Sequence, residues 1–408
     1  MRHNAHRVRS DRKTTRDYWL LWSASGLSNL GDGIRLTALP LLAATLTRDP
    51  LAVSGVVAAT TAPWIFFGPI GGSLVDRANR KLLMTIGQLM RGLVVAGLAV
   101  LVVTDMATMT HLYITGAVIG LGEILVDTSS QAAIPLLAGD LQLETANSRL
   151  IAIEFVLNDL AGGPIGAFLF AAVAFLPFGV DAATFLLGGL LIALIRTPMQ
   201  GERQPSGQTI RSDIVEGLRF VWQHEFMRPL AIAVAICNLS LGAGSAILVL
   251  LAIEEMGLAE TQYGLMVGLG ALGGVAAAIL STGISRRIGR RWAMSIGMGV
   301  LAAGQLILGL ALAGVGGTVG IAIGLFGVTL FNVVGRTLRQ ALTPDRLLGR
   351  VVASFRLIGI GVFPIGALVG GWIARFAGLR APYLIGAAII FGASVMVHRV
   401  STEERIGA

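Results

Sequence analysis

Apolar stretches long enough to cross a lipid bilayer recur along almost the whole 408-residue chain. About 20 apolar residues in a helix span the hydrocarbon core. Only 13% of the residues are charged, too few to cover the surface of a soluble globular protein. We therefore predict an all-α integral membrane protein with twelve transmembrane helices. The predicted spans are residues 18–46, 51–75, 82–104, 108–135, 149–174, 176–195, 229–253, 262–284, 292–314, 317–338, 351–374 and 381–398.

The basic residues are distributed very unequally between the two sides of these spans. With the N-terminus in the cytoplasm, 25 of the 31 lysines and arginines flank cytoplasmic span ends, three lie outside, and three lie within spans. Cytoplasmic loops carry an excess of basic residues, so we predict that both termini are cytoplasmic. The net charge of +8 is then a consequence of topology and does not indicate a nucleic-acid partner.

The chain has the pattern of a duplicated unit of six spans. Pro164-Ile165-Gly166-Ala167 in span five recurs as Pro364-Ile365-Gly366-Ala367 in span eleven, and the loop after span two is echoed after span eight. Two matches in the same order indicate parallel repeats, which build transporters that rock about a central cavity. The predicted organisation is a basic flank at 1–17, a bundle at 18–195, a cytoplasmic linker at 196–228, a bundle at 229–398 and a tail at 399–408.

The loop between spans two and three identifies a family. It reads Gly72-x-Leu74-x-Asp76-Arg77-x-x-Arg80-Lys81, and with the six-plus-six duplication it resembles the signature of the major facilitator superfamily. Asn79 stands where that signature usually has a glycine. The resemblance implies the major facilitator fold, with Asp76 locking the two halves in one state. The implied gating residues are Gly72, Asp76, Arg77, Arg80 and Lys81. The alternative is a basic loop that only fixes topology.

Other motifs resemble the drug exporter branch of this superfamily, which includes macrolide, tetracycline and enterobactin-type exporters. Gly163, Pro164 and Gly166 lie inside span five, where proline kinks a helix and glycine permits close helix approach. Asp181-x-x-x-Phe185 opens span six, Glu216-Gly217 lies in the linker, and Gly349-Arg350 precedes span eleven. The span-four arginine of many proton-coupled antiporters is missing from residues 112–130, and Arg91 in span three is the candidate substitute.

Carboxylates inside the predicted spans are the candidates for coupling transport to protons. An ionisable group in hydrocarbon costs a few kcal/mol or more, so it normally faces a cavity and marks a pathway. Burial also favours the protonated form of a carboxylate. The candidates are Asp32, Glu123 and Asp159 at the greatest depth, Asp127 and Glu154 as cytoplasmic gate residues, and Arg91. The alternative role is structural: ion pairs with Arg35 or Arg91, or hydrogen bonds to Asn29 or Asn158, that hold helices together.

The predicted function is export of small amphipathic molecules in exchange for protons, by alternating access across the bacterial inner membrane. The sequence contains no serine-hydrolase elbow, zinc-protease motif or phosphate loop, so we expect no enzyme activity, cofactor or metal site. We expect a monomer in the lipid bilayer, with a small-molecule substrate and protons as its partners. Three alternatives remain open: import or uniport by the same fold, export dedicated to an endogenous siderophore or antibiotic, and a receptor or scaffold that does not transport.

Overall fold

The computed structural model describes residues 2–68, 75, 78–138, 141–200 and 210–400, and every regular element within these ranges is helical. Eleven helices in this part of the chain are long and apolar enough to cross a membrane. With the helix Arg2–Leu46 they account for the predicted spans, so the predicted all-α membrane fold is confirmed. In chain order, spans one to twelve are Arg2–Leu46, Pro50–Gly68, Arg80–Val103, Met109–Leu137, Leu143–Ala172, Leu176–Ala193, Met227–Glu255, Glu260–Ile288, Arg290–Leu310, Gly314–Leu342, Asp345–Ala377 and Ala381–Val400.

Span five begins at Leu143, earlier than the hydropathy pattern predicts, because its first turns are polar but well supported. Glu144 lies in the first turn, where a negative charge is stabilised by the helix dipole. Ala146 is fully buried, and the Tyr18 hydroxyl donates a hydrogen bond of 2.9 Å to its carbonyl oxygen. Packing on span one therefore extends the helix into residues that hydropathy places in a loop.

Internal contacts divide the chain into two compact units. The first comprises residues 1–42 and 66–207, and the second comprises 43–65 and 208–408. In the second unit, span two lies against span eleven: Gly371 contacts Ser54, and Asp49 forms an ion pair of 3.4 Å with Arg375. These contacts are the reason that residues 43–65 cluster with the second unit.

The two copies of the repeated loop motif have different residues before the final basic pair, Asn79 in the first and Gly289 in the second, and the difference has a physical reason. Gly289 is the only residue between spans eight and nine, and its φ of 82° is a conformation that favours glycine. Asn79 has φ −71° and caps span three, because its side chain accepts a hydrogen bond of 3.3 Å from the backbone nitrogen of Leu82. Asparagine is a favoured N-cap residue, which explains why this loop does not need the usual glycine.

The linker between the units contains an amphipathic helix, Ile210–Gln223. Within the second unit, Glu216 pairs with Arg350, and the backbone of Gly217 lies against Arg350 and Ser354 of span eleven. Two motifs that resemble those of drug exporters therefore contact each other. Val221 is buried in the core of this unit, so this face of the linker helix packs on protein.

The predicted kink in span five is a widened helical turn. Residues Phe155–Gly162 form a π-helix, and an ordinary α-helix resumes at Gly163. A π-helix inside an α-helix often marks a functional site. The matching Pro364 lies inside a continuous α-helix, so proline alone does not produce the π-turn. Gly162-Gly163 precede the first proline, whereas Val362-Phe363 precede the second.

Both repeated glycines make the same kind of contact, each within its own unit. Gly166 packs against the backbone of Ile34 in span one, and Gly366 packs against the backbone of Leu239 in span seven. Gly162 meets Gly33 one turn away, where a Cβ atom on Gly162 would lie 2.5 Å from the Gly33 Cα. Spans one and five therefore cross at a distance that only glycine permits.

We expect Gly162→Ala to lower the free energy of unfolding by about 1–3 kcal/mol, the usual penalty of overpacking. Thermal unfolding of the purified protein in detergent measures it. The matched control is Gly97→Ala in span three, where a Cβ would meet nothing within 4 Å. Alanine has the higher helix propensity, so the control is expected to be neutral or slightly stabilising. Equal midpoints for the two variants would contradict the close crossing.

Candidate functional site

Four charged side chains meet inside the first unit: Asp32, Arg35, Arg91 and Asp181. We call them the buried charge cluster. One oxygen of Asp32, Oδ1, accepts hydrogen bonds from both arginines, at 2.5 Å from Nη2 of Arg35 and also from Nη2 of Arg91. The two arginine side chains are 3% and 1% exposed, and that of Asp32 is 14% exposed. Asp32 is thus the anion shared by two nearly inaccessible guanidinium groups.

Arg91 is positioned by contacts from several spans. Its Nη1 donates to the Ser28 hydroxyl at 3.2 Å, and its guanidinium lies 4.0 Å from the centre of the Phe185 ring. A cation over an aromatic face is stabilised electrostatically. The aliphatic part of Arg91 packs on Gly122, where a Cβ would lie 2.8 Å from its Cδ. Spans one, four and six therefore all hold this arginine of span three.

Asp181, which lies in the motif that opens span six, is a cluster member that was not among the predicted coupling residues. Its side chain is fully buried, with Oδ2 3.4 Å from Nε of Arg35. Within the described chain neither of its oxygens accepts a hydrogen bond, and Nε of Arg35 donates none. Gly31 makes the approach possible, since a Cβ there would collide with Asp181 and Thr184. Arg35, one helical turn after Asp32, was the available signal, because a buried arginine requires anionic partners.

The other four predicted coupling residues lie in spans four and five. Glu123 and Asp127 in span four are partly buried. Glu123 follows Gly122, and its charge acts on Arg91. Glu154 and Asp159 in span five are exposed, with Asp159 inside the π-helix. Carboxylates within membrane spans normally face the interior of the helix bundle or a water-filled cavity. The structure thus brings Asp32 and Arg91 together, and the coupling roles of all six candidates remain predictions.

The predicted gating loop is only partly described. Gly72, Asp76 and Arg77 lie outside the described residues. Arg80 donates through Nη1 to the carbonyls of Ala132 at 3.0 Å and Met199 at 3.1 Å, and Lys81 donates to that of Ile195 at 2.7 Å. These bonds tie the start of span three to span four and to the segment after span six. Arg80 and Lys81 therefore hold parts of the first unit together, and gating by the loop stays a prediction.

The second unit has polar groups of a different kind within its spans. Arg356 of span eleven lies over the ring of Trp64, 4.5 Å from its centre. Gln305 and Ser240 approach to 3.5 Å in the interior. No three histidine, cysteine or acidic residues in the described ranges are placed to hold a metal ion.

Comparison with known proteins supports the sequence motifs. The model of a major facilitator family described as "transmembrane secretion effector" matches residues 14–405. The chain belongs to this family. It is similar to the multidrug efflux pump Tap of Mycolicibacterium fortuitum, with 28% identity over 90% of this chain and 91% of Tap. Its identity to Tap of Mycobacterium tuberculosis is 25%, over 90% of this chain and 89% of that protein.

Solved structures of transporters have the same fold. A bacterial homologue of the iron transporter ferroportin matches with a TM-score of 0.76 and 18% identity, over 95% of this chain and 99% of that one. The nucleoside transporter NupG matches with a TM-score of 0.78 and 11% identity, over 95% and 100%. At these identities the match concerns the fold alone.

The family and the helices together establish the general class of the protein. It is a multi-pass membrane transporter of small molecules of the major facilitator superfamily, and it is not an enzyme. The predicted resemblance to exporters of this superfamily is confirmed by the family model and the efflux-pump relatives.

Proposed function

We propose that this transporter exports small amphipathic molecules from the cytoplasm in exchange for protons. It does so by alternating access in the bacterial inner membrane, as a monomer with both termini in the cytoplasm. Export is supported by the Tap relatives, which are multidrug efflux pumps and align over about nine tenths of the chain. The unequal distribution of basic residues supports the orientation.

The observation that carries proton coupling is the contact of Asp32 with both Arg35 and Arg91. A carboxylate held by two buried guanidinium groups is a costly arrangement in a membrane protein, because each charge loses its hydration. Protonation of one carboxylate would release the arginines to pair differently. Such a change in pairing is the kind of two-state element through which a proton biases a conformational equilibrium.

Coupling can be tested in everted membrane vesicles from a host that lacks its own efflux pumps. Respiration acidifies the vesicle interior, and a quenched acridine dye reports the gradient. If substrates are exchanged for protons, adding a substrate from a panel that includes ethidium and a tetracycline will release protons and restore fluorescence. Vesicles without the protein are the control. Accumulation that persists after a protonophore collapses the gradient would show that protons do not drive transport.

A non-transporting scaffold is disfavoured by the charges within the spans. Asp159 is exposed in the middle of span five, and Asp32 is held between two arginines. A scaffold has no use for charges that weaken insertion into the bilayer. The same vesicle assay decides the matter, because a scaffold gives no proton release with any compound of the panel.

We expect Asp76→Asn to slow transport several-fold without abolishing substrate binding. In the resembling family this acid locks one state, and a neutral asparagine interacts more weakly with cationic groups and helix N-termini. Proton release in vesicles measures the transport rate, and the change in tryptophan fluorescence on ethidium addition measures binding. An unchanged transport rate would assign the loop to topology alone.

A further inference from the structure

We infer that Asp181 is a proton-binding site of this transporter and that Arg35 connects it to Asp32. The proton site itself follows from the geometry of the first unit. Its part in transport rests on the proposed proton coupling, which it makes more specific by naming a carboxylate in span six.

The charges in and beside the buried charge cluster do not balance. Two guanidinium groups, Arg35 and Arg91, face the carboxylates of Asp32 and Asp181, and Glu123 adds a third negative charge that acts on Arg91. Fully ionised, this set has a net charge of −1. A buried charge without compensation is expensive enough that the group takes up a proton instead. The carboxylate with the least support for a negative charge is therefore expected to hold a proton.

The contacts of each carboxylate indicate which one holds that proton. Asp32 accepts hydrogen bonds from both arginines, which stabilise its ionised form. Glu123 is only partly buried, so water can solvate its charge. Asp181 is fully buried and, within the described chain, accepts no hydrogen bond at either oxygen. It has the least support for a negative charge, so the proton belongs on Asp181.

Arg35 gives this site a way to act on Asp32. The groups acting on Asp181 are Asp32 and Arg35 of span one and Arg91 of span three. When Asp181 is protonated, Arg35 is attracted to Asp32 alone. When Asp181 loses its proton, Nε of Arg35, which lies 3.4 Å away and makes no hydrogen bond in the described chain, is drawn to Asp181. Arg35 is thus a positioning residue. Asp32 and Asp181 compete for it, and the proton on Asp181 decides the outcome.

Infrared spectroscopy of the purified protein in lipid tests the site without a transport substrate. Near neutral pH, a C=O stretching band of a protonated carboxyl is expected. Labelling aspartate with ¹³C at the side-chain carboxyl should shift this band, whereas an unshifted band would place the proton on a glutamate such as Glu123 and overturn the inference. Asp181→Asn should remove the band.

Asp17→Asn is the matched control, because Asp17 is also a buried aspartate of the first unit but accepts three hydrogen bonds. The C=O stretching band should persist in the Asp17→Asn variant. If Asp181→Asn does not fold, Asp181→Glu keeps a titratable group, and its band should no longer respond to aspartate labelling. A band that persists in Asp181→Asn, or still shifts in Asp181→Glu, overturns the inference. If export is proton-driven but the band does not come from Asp181, the proposed function stands and only the inference fails. If the band comes from Asp181 but the protein does not export, only the proposed function is contradicted.

Discussion

Replacing Asp32 by asparagine is expected to abolish proton-driven export while the protein still folds and inserts into the membrane. Asparagine keeps the shape of the side chain but removes the charge that both arginines share. With Asp32 neutral, the two guanidinium groups are balanced by Asp181 and Glu123. The positive charges of the two arginines then stabilise the ionised form of Asp181, so the cluster no longer exchanges a proton during the transport cycle.

Substrate-induced proton release in everted vesicles measures this effect. We expect a fall of at least about tenfold in rate, equivalent to about 1.4 kcal/mol of lost transition-state stabilisation. Exchange of labelled for unlabelled substrate across the vesicle membrane should be reduced much less, because it needs no net movement of protons. This difference separates a coupling role from simple damage to the protein.

The matched control is Asp105→Asn, the same chemical change in an exposed connection between spans three and four. Asp105 has φ 55°, a conformation that asparagine also tolerates. The control should export at the wild-type rate. If Asp32→Asn also exports at that rate with normal proton release, Asp32 only holds span one to span three.

Hydropathy predicted the spans well because crossing a bilayer is a one-dimensional requirement of length and apolarity. It failed at Leu143, where the polar first turns of span five are supported by Tyr18 through packing and a hydrogen bond. It also gave no indication that residues 43–65 cluster with the second unit, since that depends on which helices touch.

The candidate site was predictable only as a list of charges at estimated depths. Asp32 and Arg91 were both selected, but their contact depends on the rotation of spans one and three. Asp181 looked peripheral because it lies near the start of span six. It is buried because Gly31 lets that span approach span one. Which charged side chains contact each other depends on how the helices rotate and cross. The glycines in the sequence permit a close crossing, but they do not identify the side chains that meet there.

Replacing Arg91 by glutamine is expected to lower the free energy of unfolding by about 3–5 kcal/mol, the range for removing one partner of a buried ion pair. The change leaves Arg35 as the only guanidinium group of this cluster to face its two carboxylates, Asp32 and Asp181, and it also removes the contact with Phe185. Unfolding of the purified protein in mixed detergent micelles provides the measurement. The matched control is Arg48→Gln, whose side chain is 62% exposed in its pair with Glu254. An exposed pair contributes about 0–1 kcal/mol.

The double variant Asp32→Asn with Arg91→Gln tests whether the loss comes from charge or from packing. If charge dominates, removing the anion together with the cation restores balance, and the double variant should be more stable than Arg91→Gln alone. A coupling energy of about 1–3 kcal/mol is expected for side chains in direct contact. If the two losses simply add, Arg91 acts mainly by filling space beside Phe185. The charges of Asp32 and Arg91 would then contribute no interaction energy to each other, and the coupling mechanism proposed for the cluster would lose its basis.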